Sequence, residues 1–262
     1  MSQTHKAEAG TGASAPRAVL RPRDAATLII VDRSSPAPRI LMGRRRPEQV
    51  FLPNTFVFPG GRVEATDRVL ARRHALPETE AECVKAAMRG RPSATRAAAL
   101  ALAAIRETFE ETGFIVGRPQ NDSKPANAGG WSAFHAEGFE PHLSGLTFLA
   151  RAITPPGRPR RYDTRFFVVD AREVAHRASS IDGELLDIDW FTIDAARTLK
   201  LPSITQYILE DIAAFLVRPA DAAPFYFHRR GRFERALLPR TIVRLDSEGA
   251  NSMVPNPNSR RT

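Results

Sequence analysis

One short segment of the sequence, residues 106–113, brings three carboxylates together. It contains Glu107, Glu110 and Glu111 in a stretch that is predicted to be helical. Spacings of i, i+3 and i+4 place these side chains on one helix face, where their like charges repel one another. Carboxylate oxygens are the ligands that Mg²⁺ or Mn²⁺ prefers. The three residues therefore indicate either a divalent cation site or an ordinary solvated acidic face.

A pair of glycines upstream favours the cation site. Gly60 and Gly61 follow Phe58 and Pro59, and this composition predicts a turn directly after a strand. Because glycine has no side chain, such a turn lets backbone carbonyl and amide groups lie close to a metal ion or a phosphate. We therefore favour the metal-binding interpretation over the solvated acidic face.

These residues together resemble the box of the Nudix hydrolase superfamily, G-x5-E-x7-R-E-U-x-E-E-x-G-U, in which U is a bulky apolar residue. Residues 106–114 match its second half, with Thr108 at the first apolar position. Gly61 matches the first glycine, and Asp67, one methylene shorter, stands where the pattern has glutamate. Glu64 occupies a further position that is often acidic in the family. The resemblance implies an α/β fold, a Nudix-type α/β/α sandwich with a mixed β-sheet.

An insertion splits this box. Between Asp67 and Arg106 lie 38 residues where the pattern has seven. The cost of closing a loop grows only with the logarithm of its length, so an insertion here is tolerable. We assign residues 68–93 to the insertion, predict a helix within it at residues 77–89, and expect it to pack at the rim of the site.

The split box and the upstream residues 41–45 and 51–53 look like the branch of the superfamily that includes the peroxisomal coenzyme A diphosphatases. This branch implies hydrolysis of coenzyme A or acyl-coenzyme A to a phosphopantetheine product and adenosine 3′,5′-bisphosphate. Other pyrophosphohydrolase substrates stay open: ADP-ribose, a dinucleotide or an RNA 5′ end. So does a non-catalytic module that senses nucleotides or binds a partner.

The resemblance also implies roles for individual residues. Metal ligands are expected at Glu107, Glu110 and Glu111 and at the carbonyl of Gly60, with Mg²⁺ or Mn²⁺ as cofactor. Arg106 is expected to pair with an acidic residue of the box and to orient the ligands, and Gly113 ends the motif. The general base is either Glu107 or Glu184, which precedes a predicted strand ending in Trp190.

Basic residues in three places are candidates for binding substrate phosphates: Arg44, Arg45 and Arg46, the cluster at residues 158–161, and Arg165. Guanidinium groups form bidentate contacts with phosphates, although each of these side chains also suits a solvated basic surface. The basic and aromatic segment 225–232 has a composition found in RNA-binding segments. Since no nucleic-acid-binding module is recognised, we favour a small nucleotide diphosphate as the partner over nucleic acid.

Hydrophobic periodicity and turn residues predict the elements that position these groups. Strands are predicted at residues 26–31, 39–43, 55–58, 114–116, 146–153, 164–169 and 185–191. Helices are predicted at 77–89, at 94–112 with Ser93 as N-cap and Gly113 as C′ residue, at 193–199 and at 203–216. Residues 225–227 and 241–245 are expected to pair as a hairpin.

We expect one Nudix domain at residues 25–245, including a basic C-terminal extension at 220–245, with disordered tails at residues 1–24 and 246–262. The 262 residues carry a formal net charge of +9, which favours anionic partners. A single cysteine excludes an internal disulfide, and no apolar segment suits a membrane span or a signal peptide. A cytoplasmic protein, able to form a homodimer and without a membrane partner, is expected.

Overall fold

The computed structural model describes residues 20–239, except 50–51, 87, 121–128, 179–182, 184 and 220. Its strands are β1 (Arg23–Asp32), β2 (Arg39–Arg45), β3 (Phe56–Val57), β4 (Gly60–Arg62), β5 (Phe114–Pro119), β6 (Phe139–Pro141), β7 (Thr147–Ile153), β8 (Tyr162–Asp170), β9 (Val174–Arg177), β10 (Leu185–Thr192), β11 (Ala222–Arg229) and β12 (Arg232–Pro239). Its helices are α1 (Ala65–Leu70), α2 (Glu78–Lys85), α3 (Ala94–Thr112), α4 (Ser132–Ala136), α5 (Ile193–Arg197) and α6 (Ser203–Val217), with 3₁₀ turns at Gly129–Trp131 and Ala171–Glu173.

A nine-stranded mixed sheet forms the centre of the fold. Seven strands follow the order β10-β2-β1-β8-β7-β11-β12, while β3 pairs with β2 and β4 pairs with β1. The β1–β8 and β11–β7 pairs are parallel, and the other pairs of this sheet are antiparallel. A second, three-stranded sheet has the order β6-β5-β9.

The two faces of β1 explain why this sheet lies between helical layers. Side chains of a strand alternate between faces, so Leu28 and Ile30 pack with α3 in one core cluster while Ile29 and Val31 pack with α6 in another. All four side chains have no exposed surface. A strand that is apolar on both faces needs a cover on each, which produces the predicted α/β/α sandwich and confirms the fold class.

Helix α3 has the predicted bounds, and its ends are closed as the sequence indicates. The hydroxyl of Ser93 accepts a hydrogen bond from the amide of Arg96 at 3.1 Å, and Gly113 ends the helix with a φ of 78°. Between them, residues 97–105 are mostly alanine and almost completely buried. These small side chains let α3 lie close against β1, which carries its C-terminal carboxylates to β4 and the first half of β1.

Three local expectations need correction. Residues 60–62 form a strand paired with β1, where a turn was predicted, because a Cβ on Gly60 would lie 2.5 Å from the carbonyl oxygen of Ala26 and glycine permits this close pairing. β11 pairs with β12, so the predicted pairing of 225–227 with 241–245 is wrong; the latter residues lie outside the described part of the chain. The sequence patterns do not predict α1, α4, β6, β9 or β12.

The proposed insertion and extension are both built into the core. Leu76, Cys83 and Val84 are buried in the cluster that includes α3, so the described residues of 68–93 add to the core. The extension joins the sheet through the parallel β11–β7 pair. In the described residues, no helix is long and apolar enough to cross a membrane.

The C-terminal glycine of α3 provides a test of how this helix is fixed. We expect Gly113→Ala to destabilise the protein more than Gly157→Ala. Both have a positive φ, which costs an alanine about 1–2 kcal/mol. A Cβ at position 113 would also lie 3.0 Å from the carbonyl oxygen of Ala178, whereas one at 157 meets nothing within 4 Å. Urea unfolding measures both changes, and equal losses would show that the contact with Ala178 has no influence.

Candidate active site

A cavity of about 750 Å³ lies where the first half of β1, β4 and the last turns of α3 meet. Four glutamates and two glycines line its acidic side, which we call the acidic floor: Gly60, Gly61, Glu64, Glu107, Glu110 and Glu111. Arginines line much of the remaining wall: Arg21, Arg23, Arg45, Arg62, Arg106, Arg160 and Arg161. The cavity thus combines carboxylates with an excess of cations.

Arg106 lies beneath the acidic floor and is only 2% exposed. Its Nε and Nη2 atoms donate to the two carboxylate oxygens of Asp67 at 3.0 and 3.1 Å. Its Nη1 atom donates to Glu110 at 2.7 Å, and Nη2 also lies 3.1 Å from a carboxylate oxygen of Glu107. A further bond from Nη2 to the carbonyl oxygen of Arg62, at 3.0 Å, connects the guanidinium to β4. One cation therefore holds two floor glutamates in place.

Asp67 is completely buried and fully bonded. Besides the bidentate contact with Arg106, it accepts bonds from the amide of Glu64 at 2.8 Å and from Nε1 of Trp131 at 2.9 Å. Its place in the first turn of α1 brings the shorter carboxylate to Arg106. The substitution of aspartate for the glutamate of the family pattern therefore leaves this ion pair intact.

The two glycines of the predicted motif shape the floor in different ways. The amide of Gly60 donates to Oε2 of Glu111 at 2.8 Å, which holds that carboxylate against β4. Gly61 lies beside the carboxylate of Glu107, and a Cβ at this position would overlap it. A larger residue at position 61 would therefore push Glu107 out of its place beside Arg106.

Burial and mutual repulsion raise the pKa values of two glutamates of the acidic floor. Burial raises the pKa of Glu107 to about 7, and repulsion from Glu110 and Asp67 adds to the rise, against the opposing effect of Arg106. Burial also raises the pKa of Glu110 above its usual range. Burial by itself lowers the pKa of Arg106, but its bond to Asp67 and the nearby carboxylates leave that pKa above its usual value. The floor has more negative charge than Arg106 compensates.

The floor suits a hard divalent cation in its chemistry. It offers carboxylate oxygens from three glutamates together with the backbone of Gly60, and these are the donor types that Mg²⁺ and Mn²⁺ bind. Within the described parts of the chain, no three His, Cys, Asp or Glu side chains are arranged so that they could hold a metal ion as they stand. Completing a ligand set thus requires the glutamate side chains to turn toward the cation.

The arginines predicted to bind substrate have three different positions. Arg45 lines the cavity, as a substrate-binding role requires. Arg44 does not line it and instead donates to Asp187 at 2.6 Å and to Asn54 at 3.0 Å. Arg165 has no exposed surface and is paired with Asp163, because strand alternation turns it away from the cavity that Thr164 lines. The expectation of direct substrate contact is therefore wrong for Arg165 and unsupported for Arg44 as they lie in this structure.

Two other expectations about the site have different outcomes. Glu184 lies outside the described residues, so its role as a base stays a prediction. No described residue of 68–93 lines the cavity, so the insertion does not form the rim. It packs into the apolar core because its side chains at positions such as Leu76 and Val84 are hydrophobic.

Sequence reasoning missed several residues of the site. Trp131 binds Asp67 from a segment that carries no motif, 64 positions away in the chain. Arg21 and Arg23 lie on the cavity wall although residues 1–24 were expected to be disordered. The sequence gives no indication of Trp131. It does indicate Arg21 and Arg23, because the apolar and β-branched residues that follow them belong to β1, which begins at Arg23.

The chain is similar to two curated acyl-coenzyme A diphosphatases. No protein-family model matches the chain. The chain is 28% identical over 205 residues to the acyl-coenzyme A diphosphatase NUDT19 of Gallus gallus, covering 56% of this chain and 54% of that protein. It is 31% identical over 105 residues to the Xenopus laevis protein of the same name, covering 34% and 28%. The chain thus spans about half or less of the length of these curated relatives.

A solved structure supports the fold. A NUDIX hydrolase from Alicyclobacillus acidocaldarius superposes with a TM-score of 0.57 and 26% sequence identity, covering 74% of this chain and 92% of the other. The described sheet and helices therefore correspond to almost the whole of that protein.

Two substitutions of Asp67 separate the contributions of charge and of side-chain size to the stability of its pair with Arg106. We expect Asp67→Asn to cost about 3–5 kcal/mol of unfolding free energy, since it removes the completely buried carboxylate that binds both Nε and Nη2 of Arg106. Asp67→Glu keeps the charge and adds one methylene to a buried position, for which about 1–3 kcal/mol is expected. Urea unfolding of the two variants measures the difference. A greater loss for the glutamate variant would show that space, not charge, governs this position.

The contact between Gly61 and Glu107 can be isolated with a double-mutant cycle. Gly61→Ala is expected to destabilise the protein by about 1–3 kcal/mol, because the new methyl group displaces the Glu107 carboxylate. In a Glu107→Ala background the same substitution should cost less than about 0.5 kcal/mol. Unfolding free energies of the four proteins provide the coupling. If Gly61→Ala costs the same in both backgrounds, the glycine serves the backbone of β4 instead.

Proposed function

The chain is a member of the Nudix hydrolase superfamily, and on this premise we propose that it is a metal-dependent pyrophosphohydrolase. Its substrate would be a nucleoside diphosphate linked to a second moiety, with coenzyme A or acyl-coenzyme A as our leading assignment. The observation that carries this proposal is the buried Arg106, which holds Glu107 and Glu110 at the floor of a cavity lined by further arginines. Such a site combines carboxylates for a cation with guanidinium groups for phosphate oxygens.

Glu107, Glu110 and Glu111 are the side chains that would hold Mg²⁺ or Mn²⁺, with the backbone of Gly60 beside them. When bound, such a cation neutralises phosphate charge and lowers the pKa of a water molecule. The contribution of the chain itself is to hold these carboxylates in position. Arg106 fixes the first two carboxylates, and the amide of Gly60 fixes Glu111.

The proton of the attacking water must go to a base in this mechanism. We propose Glu107 and Glu184 as the two candidates for this base. Glu107 lies in the cavity beside Gly61, within reach of a substrate placed there. The pH dependence of kcat in Glu107→Gln and Glu184→Gln distinguishes the two, because loss of the base removes the acidic limb of the profile.

The assignment of coenzyme A rests on the curated relatives. Both are acyl-coenzyme A diphosphatases by name, but the chain covers only part of each. The excess of arginine over glutamate on the cavity wall agrees with a substrate that carries several negative charges.

The proposal is tested by following phosphoanhydride hydrolysis with Mg²⁺ or Mn²⁺. Coenzyme A, acetyl-coenzyme A, ADP-ribose, a dinucleoside polyphosphate and a triphosphorylated RNA are the substrates to compare. We expect turnover to be greatest on the coenzyme A compounds and to be lost when the metal is chelated. Binding of these compounds without turnover of any would contradict an enzyme and favour a nucleotide-binding module.

A ligand substitution tests the metal site directly. Glu111→Gln is expected to lower kcat/KM at least about 100-fold, since loss of a ligand should exceed the 10–100-fold effect of altering a residue that supports one. Glu78→Gln is the matched control, because Glu78 is exposed in the first turn of α2 and remote from the cavity. Unchanged kcat/KM in Glu111→Gln would show that the cation, if any, binds elsewhere.

A further inference from the structure

Three arginines on the cavity wall have no function in the site described so far. Arg21, Arg23 and Arg160 line the cavity and are exposed to solvent. Across the described residues, no acidic side chain pairs with any of them, in contrast to Arg106 with its three carboxylates. We call these three residues the arginine rim. Its positive charge is available to a ligand.

Backbone contacts hold the rim in place. The amide of Arg23 donates to the carbonyl oxygen of Arg161 at 2.9 Å, which joins the start of β1 to the loop before β8. The side chain of Arg161 donates to the carbonyl oxygens of Leu20 and Thr154 at 2.6 and 3.1 Å. Arg161 therefore ties together the two segments that carry the rim.

Along β1, the backbone of the rim is displaced from Gly60, whose amide binds Glu111. Gly60 pairs with Thr27, four residues along β1 from Arg23. At about 3.3 Å per residue this separation is roughly 13 Å, and Arg21 is two residues farther away. A ligand whose diphosphate lies beside Glu111 would therefore meet the rim best with a second anionic group, connected to the diphosphate by a spacer such as a nucleoside.

We propose that the arginine rim is a binding site for a phosphate monoester on the substrate, separate from the diphosphate that is cleaved. A monoester carries close to two negative charges and three acceptor oxygens, which several guanidinium groups can share in bidentate contacts. Glu107, Glu110 and Glu111 repel such a group, so the contrast between these glutamates and the arginine rim favours one direction of the substrate in the cavity. This inference rests on the proposed function and names the residues that select within its substrate class.

The test compares substrates that differ only in the monoester. We use the full chain with two pairs: coenzyme A against dephospho-coenzyme A, and NADPH against NADH. The wild-type protein should prefer the phosphorylated member of at least one pair in kcat/KM, mainly through a lower KM. Arg23→Ala and Arg160→Ala should each reduce this preference about 5–10-fold, and the double variant should nearly abolish it.

Arg158→Ala is the matched control, because Arg158 lies in the same exposed loop as Arg160 but does not line the cavity. It should keep the wild-type preference. Equal losses on both members of each pair in the rim variants would overturn the inference, as would a wild-type protein without preference. The proposed function would survive either result, since turnover itself would remain.

A binding measurement keeps the inference testable if no substrate is cleaved. Calorimetric titration with adenosine 3′-monophosphate and with adenosine, in the presence of a chelator, reports on the rim without catalysis. The monophosphate should bind more tightly than adenosine, and Arg23→Ala should remove most of this difference. Equal affinity of the wild-type protein for the two ligands would contradict a monoester site, whatever the outcome of the hydrolysis assay.

Discussion

The buried guanidinium of Arg106 is the constraint on which the rest of the site depends. Removing a charge from water is costly, and the cost is recovered only when good geometry satisfies the charge in the interior. Here Asp67 takes two of its bonds, Glu110 a third and the carbonyl oxygen of Arg62 a fourth. These partners come from α1, α3 and β4, so satisfying one side chain requires three elements to meet at one place. The acidic floor is a consequence of that meeting.

The same interaction explains how the site tolerates an interrupted motif. Asp67 reaches Arg106 because α1 starts directly after β4 and places the carboxylate in its first turn. The chain then leaves the site, buries Leu76, Cys83 and Val84 in the core, and returns through the N-cap at Ser93. Only the positions of Asp67 and the end of α3 matter to the ion pair. A long insertion between them changes the core and leaves the site geometry as it is.

Sequence reasoning succeeded where local chemistry decides the structure. The bounds of α3 follow from Ser93, Gly113 and a run of helix-forming residues, and the pattern from Arg106 to Glu111 identified the carboxylate face. It failed where contacts between distant segments decide. Trp131 meets Asp67 only after folding, and Arg165 looks like other basic residues until strand alternation buries it against Asp163. The strand at 60–62 has a turn-like composition and becomes extended only because β1 lies beside it.

For ligand binding, the positions of the charges around the cavity matter more than the net charge of the whole chain. An excess of basic residues over the whole surface acts within about 8 Å at physiological ionic strength, so a distant arginine does little for a bound diphosphate. The arginines that matter are those that line the cavity, where Glu107, Glu110 and Glu111 repel the same anion. The arginine rim therefore attracts an anionic ligand, whereas the glutamates repel it until a cation compensates their negative charge. This asymmetry orients the ligand during approach, and a uniformly basic pocket of the same net charge could not do so.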